Sequence, residues 1–331
     1  MQFPTVSQRI VIGHSILDGA SLGELAARHW RIDAPRCTEL LQHGQNDWYR
    51  LETTNRCYAI RVLKSGLRTP QQLLEEILWT QALHQDGIAC ACALSTNDGL
   101  AGVTLDAPEG PRMVCLHAWI EGRTLNSSLS SADAREAGQL LARIHLSSAQ
   151  LPLDARRHRL AEKLNRTAPA LDRALIDDRQ KQMVAATRLA IATALAEEQQ
   201  LPQGSLHGDM HFGNLRRAVS GQLYPMDFDD CGRGALCVDL TPFLWRNRSE
   251  NIDPTVAASF LEGYAALRRI TAAEREALPA LLAARALYLA GVLARDRNVL
   301  GSVPGFDKPW QHYLDLAEAC LRTERPAETR G

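Results

Sequence analysis

Residues 205–240 read SLHGDMHFGNLRRAVSGQLYPMDFDDCGRGALCVDL, and this stretch decides the fold. Asn214 follows Asp209 by five residues, and Asp227 follows Asp209 by eighteen. The first interval is that of the catalytic loop H-R-D-x-x-x-x-N, in which an aspartate accepts a hydroxyl proton and an asparagine holds Mg²⁺. The spacing therefore predicts a phosphoryl-transfer site with Asp209 as its base.

The segment after Asn214 predicts a hairpin that returns Asp227 to its side. Residues 216–222 are polar and contain a glycine, which favours a turn, and residues 223–228 favour a return strand. Mg²⁺ prefers hard oxygen ligands, usually one or two from protein, with phosphates and waters completing its shell. We therefore expect Asn214 and Asp227 to hold Mg²⁺ at the phosphates of ATP.

Two other interpretations of this stretch stay open. His207, Asp209 and His211 alternate along the chain and could form a Zn²⁺ cluster, since imidazole and carboxylate both ligate zinc. The polar residues could also be turn formers of a structural loop.

The fragments HGDMHFGN and MDFDDCGRGALCVDL resemble the catalytic loop and metal-binding strand of the aminoglycoside phosphotransferase and choline kinase superfamily. The doubled acid Asp229-Asp230 and the run FLEGYAALRRIT most resemble the branch that holds stress-response kinase A and type II homoserine kinases. The resemblance implies an α+β, two-lobed protein-kinase-like fold with a small antiparallel-sheet N-lobe and a larger, mainly helical C-lobe. It implies a nucleotide-binding lobe over residues 1–119 and a catalytic and acceptor-binding lobe over 120–325, followed by a frayed tail at 326–331.

The resemblance also implies roles for the residues around Asp209. His207 would anchor the catalytic loop by hydrogen bonds, and Asp239 would tether the backbone of that loop. His211 could approach the acceptor or the phosphates, or simply pack. Asp229 and Asp230 could hold a second Mg²⁺ or orient the acceptor, or they could be exposed turn acids.

The N-terminal part predicts a helix at residues 20–29 and then a hairpin of strands at about 47–53 and 57–63. The run QHGQN before it would be the phosphate-covering loop, where Gly44 lets the backbone approach the nucleotide; a plain β-turn is the alternative. Alternation along the second strand places Arg61 on one face with Leu63, opposite Tyr58 and Ile60.

A charge in mid-strand suggests phosphate binding, because kinases place a cation here that pairs with a helix glutamate. Arg61 is the first candidate and Lys64 the second, with a solvated edge charge as the alternative.

Thr69-Pro70-Gln71-Gln72 predicts the start of a helix that runs to about residue 84. The resemblance of residues 76–83 to the family's E-L-x-W-L-x-A-L makes Glu76 the partner of Arg61, although Glu76 could also be an acid that faces water. We expect an apolar stripe on this helix, formed by Leu73, Leu74, Ile77 and Leu78 and extended by Ala82 and Leu83.

Residues 112–120, followed by Glu121-Gly122-Arg123, resemble the hinge between the lobes of these kinases. Alignment on Gly122 suggests that the Ala118 carbonyl and the Ile120 amide contact adenine. A capping box at residues 130–133 predicts the next helix. Its His145 is expected to be structural.

Composition narrows the function classes. The 331 residues are 45% hydrophobic and 23% charged with a formal charge of −1, which argues against nucleic acid as a partner. The first residues do not have the pattern of a secretory signal. Residues 278–294 are apolar but interrupted by Arg285 and shorter than a bilayer span, so we expect a buried helix and no membrane partner. The eight scattered cysteines indicate reduced thiols and a cytoplasmic protein.

Residues 246–300 contain eight arginines and six acids, so a polycationic acceptor is disfavoured. We expect a neutral, zwitterionic or anionic small molecule with a hydroxyl group. Arg295 and Arg297 could contact its carboxylate or phosphate, or they could form surface ion pairs. A protein Ser/Thr kinase resembling stress-response kinase A and a non-catalytic nucleotide-binding regulator are the alternatives. The sequence leaves the oligomeric state open.

Overall fold

The computed structural model describes residues 12–44, 46–147, 160–175, 177–300 and 309–322, without the side chains of 297–300. The chain divides into two compact units. The first comprises Met1–His84 and Cys90–Glu121, and the second comprises Gln85–Ala89 and Gly122–Gly331. The predicted frayed tail at 326–331 and the first eleven residues lie outside the described residues.

The first unit is built on an antiparallel sheet of six strands in the order β1-β2-β3-β6-β4, with β5 also paired to β6. The strands are β1 (Pro35–Gln42), β2 (Asn46–Thr53), β3 (Cys57–Leu63), β4 (Ala93–Leu94), β5 (Val103–Ala107) and β6 (Gly110–Ala118). Among the described residues, the helices of this unit are α1 (Gly19–His29) and α2 (Pro70–Gln85). The predicted hairpin of β2 and β3 and the predicted helix α1 are confirmed, whereas β1 was missed because six of its eight residues are exposed and their alternation is weak.

Strand β3 separates two small cores. Tyr58, Ile60 and Val62 pack on one face with Leu22 and Ala26 of α1. Leu63, on the other face, packs with Leu73 and Ile77 of α2. Because side chains alternate along a strand, Arg61 shares the face of Leu63 and lies toward α2.

Helix α2 begins with a reciprocal cap. The Gln72 backbone N–H donates to Thr69 Oγ1 at 3.2 Å, and the Thr69 N–H donates to Gln72 Oε1 at 3.1 Å. The predicted apolar stripe is partly wrong, since Leu74 and Leu78 are 40% and 54% exposed. The buried residues of this helix are instead Leu73, Glu76, Ile77, Trp79, Thr80 and Leu83.

The second unit is mainly helical. Its helices are α3 (Ser131–Ser147), α4 (Leu160–Ala174), α5 (Asp178–Ala196), α6 (Thr241–Ser249), α7 (Pro254–Ala265), α8 (Ala272–Leu300) and α9 (Trp310–Arg322). Short strands form two small sheets, β10-β9-β7 and β11-β8: β7 (Gly122–Thr124), β8 (Gln203–Leu206), β9 (Leu215–Ala218), β10 (Leu223–Pro225) and β11 (Gly232–Ala235). The predicted fold class, a small antiparallel-sheet N-terminal part and a mainly helical remainder, is confirmed.

Helix α8 is longer than the apolar stretch that predicted it. Its segment Ala272–Asp296 is long and apolar enough to cross a membrane, which the shorter predicted stretch 278–294 is not. However, 72% of its most apolar window is buried within the protein. That burial is typical of the core helix of a soluble protein, since a spanning helix turns its apolar side chains to lipid.

Helices α3 and α7 approach each other at two glycines. A Cβ on Gly138 would lie 2.0 Å from the Phe260 carbonyl oxygen, and one on Gly263 would lie 2.0 Å from that of Arg135. A Cβ at either position would push the two helices apart, because it would meet backbone atoms, which cannot move aside as a side chain can. Glycine is therefore required at both positions for this packing.

Gly263→Ala is expected to lower the free energy of unfolding by about 1–3 kcal/mol, since overpacking outweighs the gain in helix propensity. Urea unfolding followed by circular dichroism measures the change. Gly13→Ala is the control, because no atom lies within 4 Å of a Cβ at Gly13. Equal stability of both variants would contradict the close approach of α3 and α7.

Candidate active site

Asp209 and Asn214 lie in one turn after β8. The Asn214 side-chain amide donates to the Asp209 carbonyl oxygen at 3.0 Å and lies 3.5 Å from Asp209 Oδ2. The Asn214 backbone N–H donates to the His211 carbonyl at 2.8 Å, which closes the short 3₁₀ helix Phe212–Asn214. The five-residue interval therefore places the amide of Asn214 beside Asp209.

Asp227 returns to Asn214 through the hairpin of β9 and β10. Leu215 pairs with Pro225, and the Met226 N–H donates to the Asn214 carbonyl at 2.8 Å. The predicted bounds are wrong in detail: β9 extends to Ala218, and the return strand ends at Pro225. It ends there because Asp227 has a left-handed backbone (φ 59°, ψ 72°), after which Phe228–Asp230 form a 3₁₀ helix. A non-glycine residue in this conformation is uncommon and is often found at functional sites.

His207 is fully buried, and both of its ring nitrogens are engaged. Nδ1 accepts from the Asp209 N–H at 3.3 Å, so Nε2 carries the proton and donates to the Met226 carbonyl at 3.0 Å. An imidazole bonded in this way cannot also ligate zinc, which argues against the Zn²⁺ cluster. His207 instead links the Asp209 turn to the strand that leads to Asp227.

Asp239 is fully buried below the same turn. Its carboxylate accepts from the backbone N–H groups of His207 and Gly208, each at 2.6 Å, and lies 3.1 Å from His145 Nε2. His145 Nδ1 lies 2.7 Å from the Tyr264 hydroxyl, so the imidazole is satisfied on both sides. Burial alone would raise the pKa of Asp239, but the bond and charge of His145, with the backbone donors, hold it below its ordinary value.

His211 caps the 3₁₀ helix through Nδ1, which accepts from the Gly213 N–H at 3.0 Å. Its Nε2 lies 3.9 Å from Asp209 Oδ2. Burial lowers the pKa of His211 to about 4; Asp209 opposes that shift, and Arg285 and Arg246 reinforce it. His211 is therefore a neutral imidazole near the carboxylate at neutral pH.

The doubled acid has two different environments. Asp229 is only 8% exposed, so it is not an exposed turn acid. Asp230 Oδ2 lies 3.1 Å from Lys163 Nζ, and that ammonium lies 5.9 Å from the centre of the Tyr288 ring. The possible roles in holding a second metal or orienting the acceptor stay predictions.

Sequence reasoning missed the partner of Asp209. Arg285 of α8 donates from Nη2 to Asp209 Oδ1 in an ion pair, and its guanidinium lies over the Trp245 ring at 5.7 Å. The available signal was Arg285 itself, the one charge that interrupts residues 278–294. Its partner could not be known, because 76 residues separate the two.

Arg61 and Glu76 meet within the first unit. Their side chains are 2% and 5% exposed, with Nη1 bonded to Oε1 and Nη2 3.5 Å from Oε2. Glu76 is therefore not the water-facing helix acid of the alternative interpretation. Lys64, the second candidate for phosphate binding, is exposed.

The remaining nucleotide candidates are backbone positions of the first unit. Gly44 lies at the bend between β1 and β2, where a Cβ would meet no atom closer than 3.8 Å. Ala118 is the last residue of β6 and is paired with Tyr58, and Ile120 follows it. Their contacts with a nucleotide stay predictions.

The structure gives no support for the prediction that Arg295 and Arg297 contact an anionic group of the acceptor. Arg295 bonds the adjacent Asp296 through Nε at 2.5 Å and Nη2 at 2.9 Å. The side chain of Arg297 lies outside the described residues.

A buried network near the β1–β2 bend was also missed. Asp47 is fully buried and lies 2.7 Å from Arg112 Nη2, 3.1 Å from His14 Nε2 and 2.7 Å from His43 Nδ1. Two imidazoles and a carboxylate are possible metal ligands. The guanidinium of Arg112 already compensates the carboxylate, so the network is explained as a structural ion cluster.

Comparisons with known proteins extend over most of the chain. Residues 37–280 match the model of the phosphotransferase enzyme family, APH. An uncharacterized protein of Deinococcus radiodurans is 32% identical over 292 residues, 85% of this chain and 83% of its own length. A homoserine kinase of Neisseria meningitidis is 27% identical over 247 residues, 71% of this chain and 74% of its own length.

Solved structures agree on the fold. An amicoumacin kinase in complex with AMP-PNP and Ca²⁺ superposes with a TM-score of 0.74 over 94% of this chain and 95% of its own, at 19% identity. The predicted family resemblance and the predicted enzyme class, a phosphotransferase, are confirmed. With its family model matched from strand β1 to helix α8, the chain belongs to the phosphotransferase enzyme family.

Proposed function

We propose that this protein transfers the γ-phosphate of ATP to a hydroxyl group of a small molecule in a reaction that depends on Mg²⁺. One observation carries the proposal. The hydrogen bonds of Asn214 to the Asp209 carbonyl and of Met226 to the Asn214 carbonyl bring a carboxylate, an amide and the residue before Asp227 together. Phosphoryl transfer needs a proton-accepting carboxylate and two oxygen ligands for the metal at one place, and Asp209, Asn214 and Asp227 are the residues that would supply them.

Asn214 and Asp227 are the residues that would hold Mg²⁺. The side-chain amide of Asn214 is fixed by its N–H bond to the Asp209 carbonyl, which leaves the amide oxygen as a ligand atom. An amide oxygen and a carboxylate form the hard-oxygen set that Mg²⁺ prefers. The bound ion would neutralise charge on the phosphates of ATP.

Asp209 would act as the proton acceptor. Its Oδ1 is engaged by Arg285, whereas the contacts of Oδ2 with described residues are longer, at 3.5 Å with Asn214 and 3.9 Å with His211. The alcohol proton passes to Oδ2 as the alcohol oxygen bonds the γ-phosphorus. The bond from that phosphorus to the β–γ bridging oxygen breaks, and its electron pair leaves with ADP.

The first unit would bind the nucleotide. In the proposal, Arg61 contacts the phosphates and Glu76 orients it, as their ion pair suggests. The bend at Gly44 would cover the phosphates, and the backbone of Ala118 and Ile120 would contact adenine. His207 and Asp239 would hold the catalytic turn in shape rather than touch substrate.

The proposed acceptor is a neutral, zwitterionic or anionic alcohol. Homoserine kinases among the relatives act on a hydroxylated amino acid by name, and Arg285 beside Asp209 makes the site unsuited to a polycation. The eight free cysteines support a cytoplasmic location, since such thiols persist in a reducing compartment.

A screen of hydroxylated metabolites with ATP and Mg²⁺ tests this function. Candidates that raise the melting temperature in the presence of a non-hydrolysable ATP analogue are taken forward, since a cognate ligand stabilises the fold. Phosphorus NMR then detects a new phosphomonoester and ADP in equal amounts. ATP binding without transfer to any alcohol would indicate a regulator, and transfer only to lysate protein would indicate a protein kinase.

Asp227→Asn is expected to raise the Mg²⁺ concentration for half-maximal transfer by at least about 10-fold. Mutating a residue that only hydrogen-bonds a metal ligand already lowers metal affinity by about that factor, and a ligand itself should matter more. The substitution keeps an oxygen but removes its charge. Titration of the transfer rate with Mg²⁺ at saturating ATP measures the effect. Asp178→Asn, at a 91% exposed helix acid, is the control. Identical Mg²⁺ curves for the two variants would remove Asp227 from the metal site.

A further inference from the structure

Helix α8 has one polar face within an otherwise buried stretch. From Ala280 to Ala294, Arg285 and Tyr288 are the two residues that keep partial contact with solvent. They are three positions apart and therefore lie on the same side of the helix. Burying a guanidinium in such a helix costs desolvation free energy that its ion pair does not necessarily offset. Stability alone therefore does not explain why an arginine occupies position 285.

The surroundings of Arg285 leave it available to a ligand. Its side chain is 13% exposed, and within the described part of the chain its hydrogen-bond partner is Asp209, through Nη2. A guanidinium has five N–H donors arranged as a planar fork that matches a carboxylate. The Trp245 ring at 5.7 Å supports the plane of this fork. Arg285 can therefore bind the carboxylate of a ligand, either together with that of Asp209 or in its place.

The neighbouring cations are compensated by acids that are not the proposed base. Lys163 pairs with Asp230, and Arg246 pairs with Glu250. Arg285 differs because its counter-ion is the proposed proton acceptor itself. A ligand anion that draws Arg285 away would leave Asp209 free to receive a proton.

We propose that Arg285 binds a carboxylate of the acceptor, and that this contact releases Asp209 for the hydroxyl of the same molecule. The acceptor is therefore a hydroxy acid, with or without an amine. This inference rests on the proposed function and narrows its substrate class. The chemical step is unchanged: the alcohol proton goes to Asp209, the acceptor oxygen bonds the γ-phosphorus, and ADP leaves.

Four probes with the same three-carbon alcohol test the inference on the full chain with ATP and Mg²⁺. Homoserine has a carboxylate and an amine, 4-hydroxybutanoate only the carboxylate, 3-amino-1-propanol only the amine, and 1-propanol neither. The acceptor from the metabolite screen and its carboxylate-free analogue are added as a third pair, beside homoserine with 3-amino-1-propanol and 4-hydroxybutanoate with 1-propanol. Wild-type protein is expected to prefer the carboxylate member of each pair by about 10- to 100-fold in kcat/KM, the size of a charge-assisted hydrogen bond.

Arg285→Gln is expected to remove this preference, because the glutamine side chain has no positive charge and no guanidinium fork to bind the carboxylate. Arg285→Lys restores part of the preference, since it keeps the charge but loses the fork. Arg135→Gln removes an exposed arginine from its pair with Glu262 and is the matched control. Melting temperatures show that each variant is folded.

The possible outcomes separate the inference from the function on which it rests. Loss of the carboxylate preference in Arg285→Gln but not in Arg135→Gln supports the inference. An unchanged preference in Arg285→Gln, or a wild-type protein that phosphorylates carboxylate-free alcohols equally well, overturns it and leaves the proposed function intact. Wild-type protein that phosphorylates no alcohol overturns both.

Discussion

Asp209→Asn is expected to lower kcat for phosphoryl transfer by about 10²- to 10⁴-fold, the usual contribution of a positioned general base. Asparagine preserves the shape of the side chain but cannot receive the alcohol proton. The backbone carbonyl of residue 209, to which Asn214 donates, is untouched. The measurement is initial-rate kinetics with the acceptor from the screen, at saturating ATP and Mg²⁺.

Two further results separate loss of the base from loss of structure. ATP affinity is expected to stay close to wild type, because Asp209 is not one of the groups proposed to contact the nucleotide, and the melting temperature shows how much the loss of its ion pair with Arg285 destabilises the fold. Arg285→Gln breaks the same pair but keeps the carboxylate, so it should still phosphorylate carboxylate-free alcohols. An Asp209→Asn protein with the wild-type kcat would show that another group takes the proton.

The turn that carries Asp209 and Asn214 was predictable because its geometry is local. Asp209 and Asn214 are five residues apart, and Asp227 is brought back by a short hairpin, so spacing alone placed them near one another. The capped start of α2 was equally local. The prediction that Arg61 pairs with Glu76 needed more than local spacing. It came from a motif resemblance rather than from periodicity.

What the sequence did not reveal depends on contacts between distant segments. The position of Arg285 relative to Asp209 depends on where α8 lies relative to a turn 76 residues earlier in the chain, which no local pattern encodes. The predicted stripe of α2 failed at Leu74 and Leu78 because the buried face also contains Glu76 and Thr80, which an apolar pattern does not select. Strand β1 was missed for a related reason, since its exposed residues lack the alternation that marks a half-buried strand.

The second large effect is expected at Asp239. One carboxylate there accepts two backbone N–H groups at 2.6 Å and faces His145 at 3.1 Å, with no exposure to solvent. In Asp239→Asn, one accepting oxygen becomes an N–H₂ group that meets a donor. A buried backbone donor then has no acceptor, and the hydrogen bond with His145 loses its anionic partner.

Asp239→Asn is therefore expected to lower the free energy of unfolding by about 3–5 kcal/mol, the range found when one partner of a buried pair is removed. Urea unfolding at pH 7 gives the value, and Asp178→Asn should stay within about 0.5 kcal/mol of wild type. Stability equal to that control would mean that the Asp239 carboxylate does not fix the turn before Asp209.

The pH dependence gives an independent check. The folded-state pKa of Asp239 is depressed, so its contribution is present above the unfolded-state pKa of about 3.9 and is lost as the pH falls through the folded value. The stability difference between wild type and Asp239→Asn should therefore shrink below about pH 4. A difference that stays constant into acid would assign the defect to packing rather than to the charge of Asp239, and would leave the catalytic turn without its electrostatic anchor.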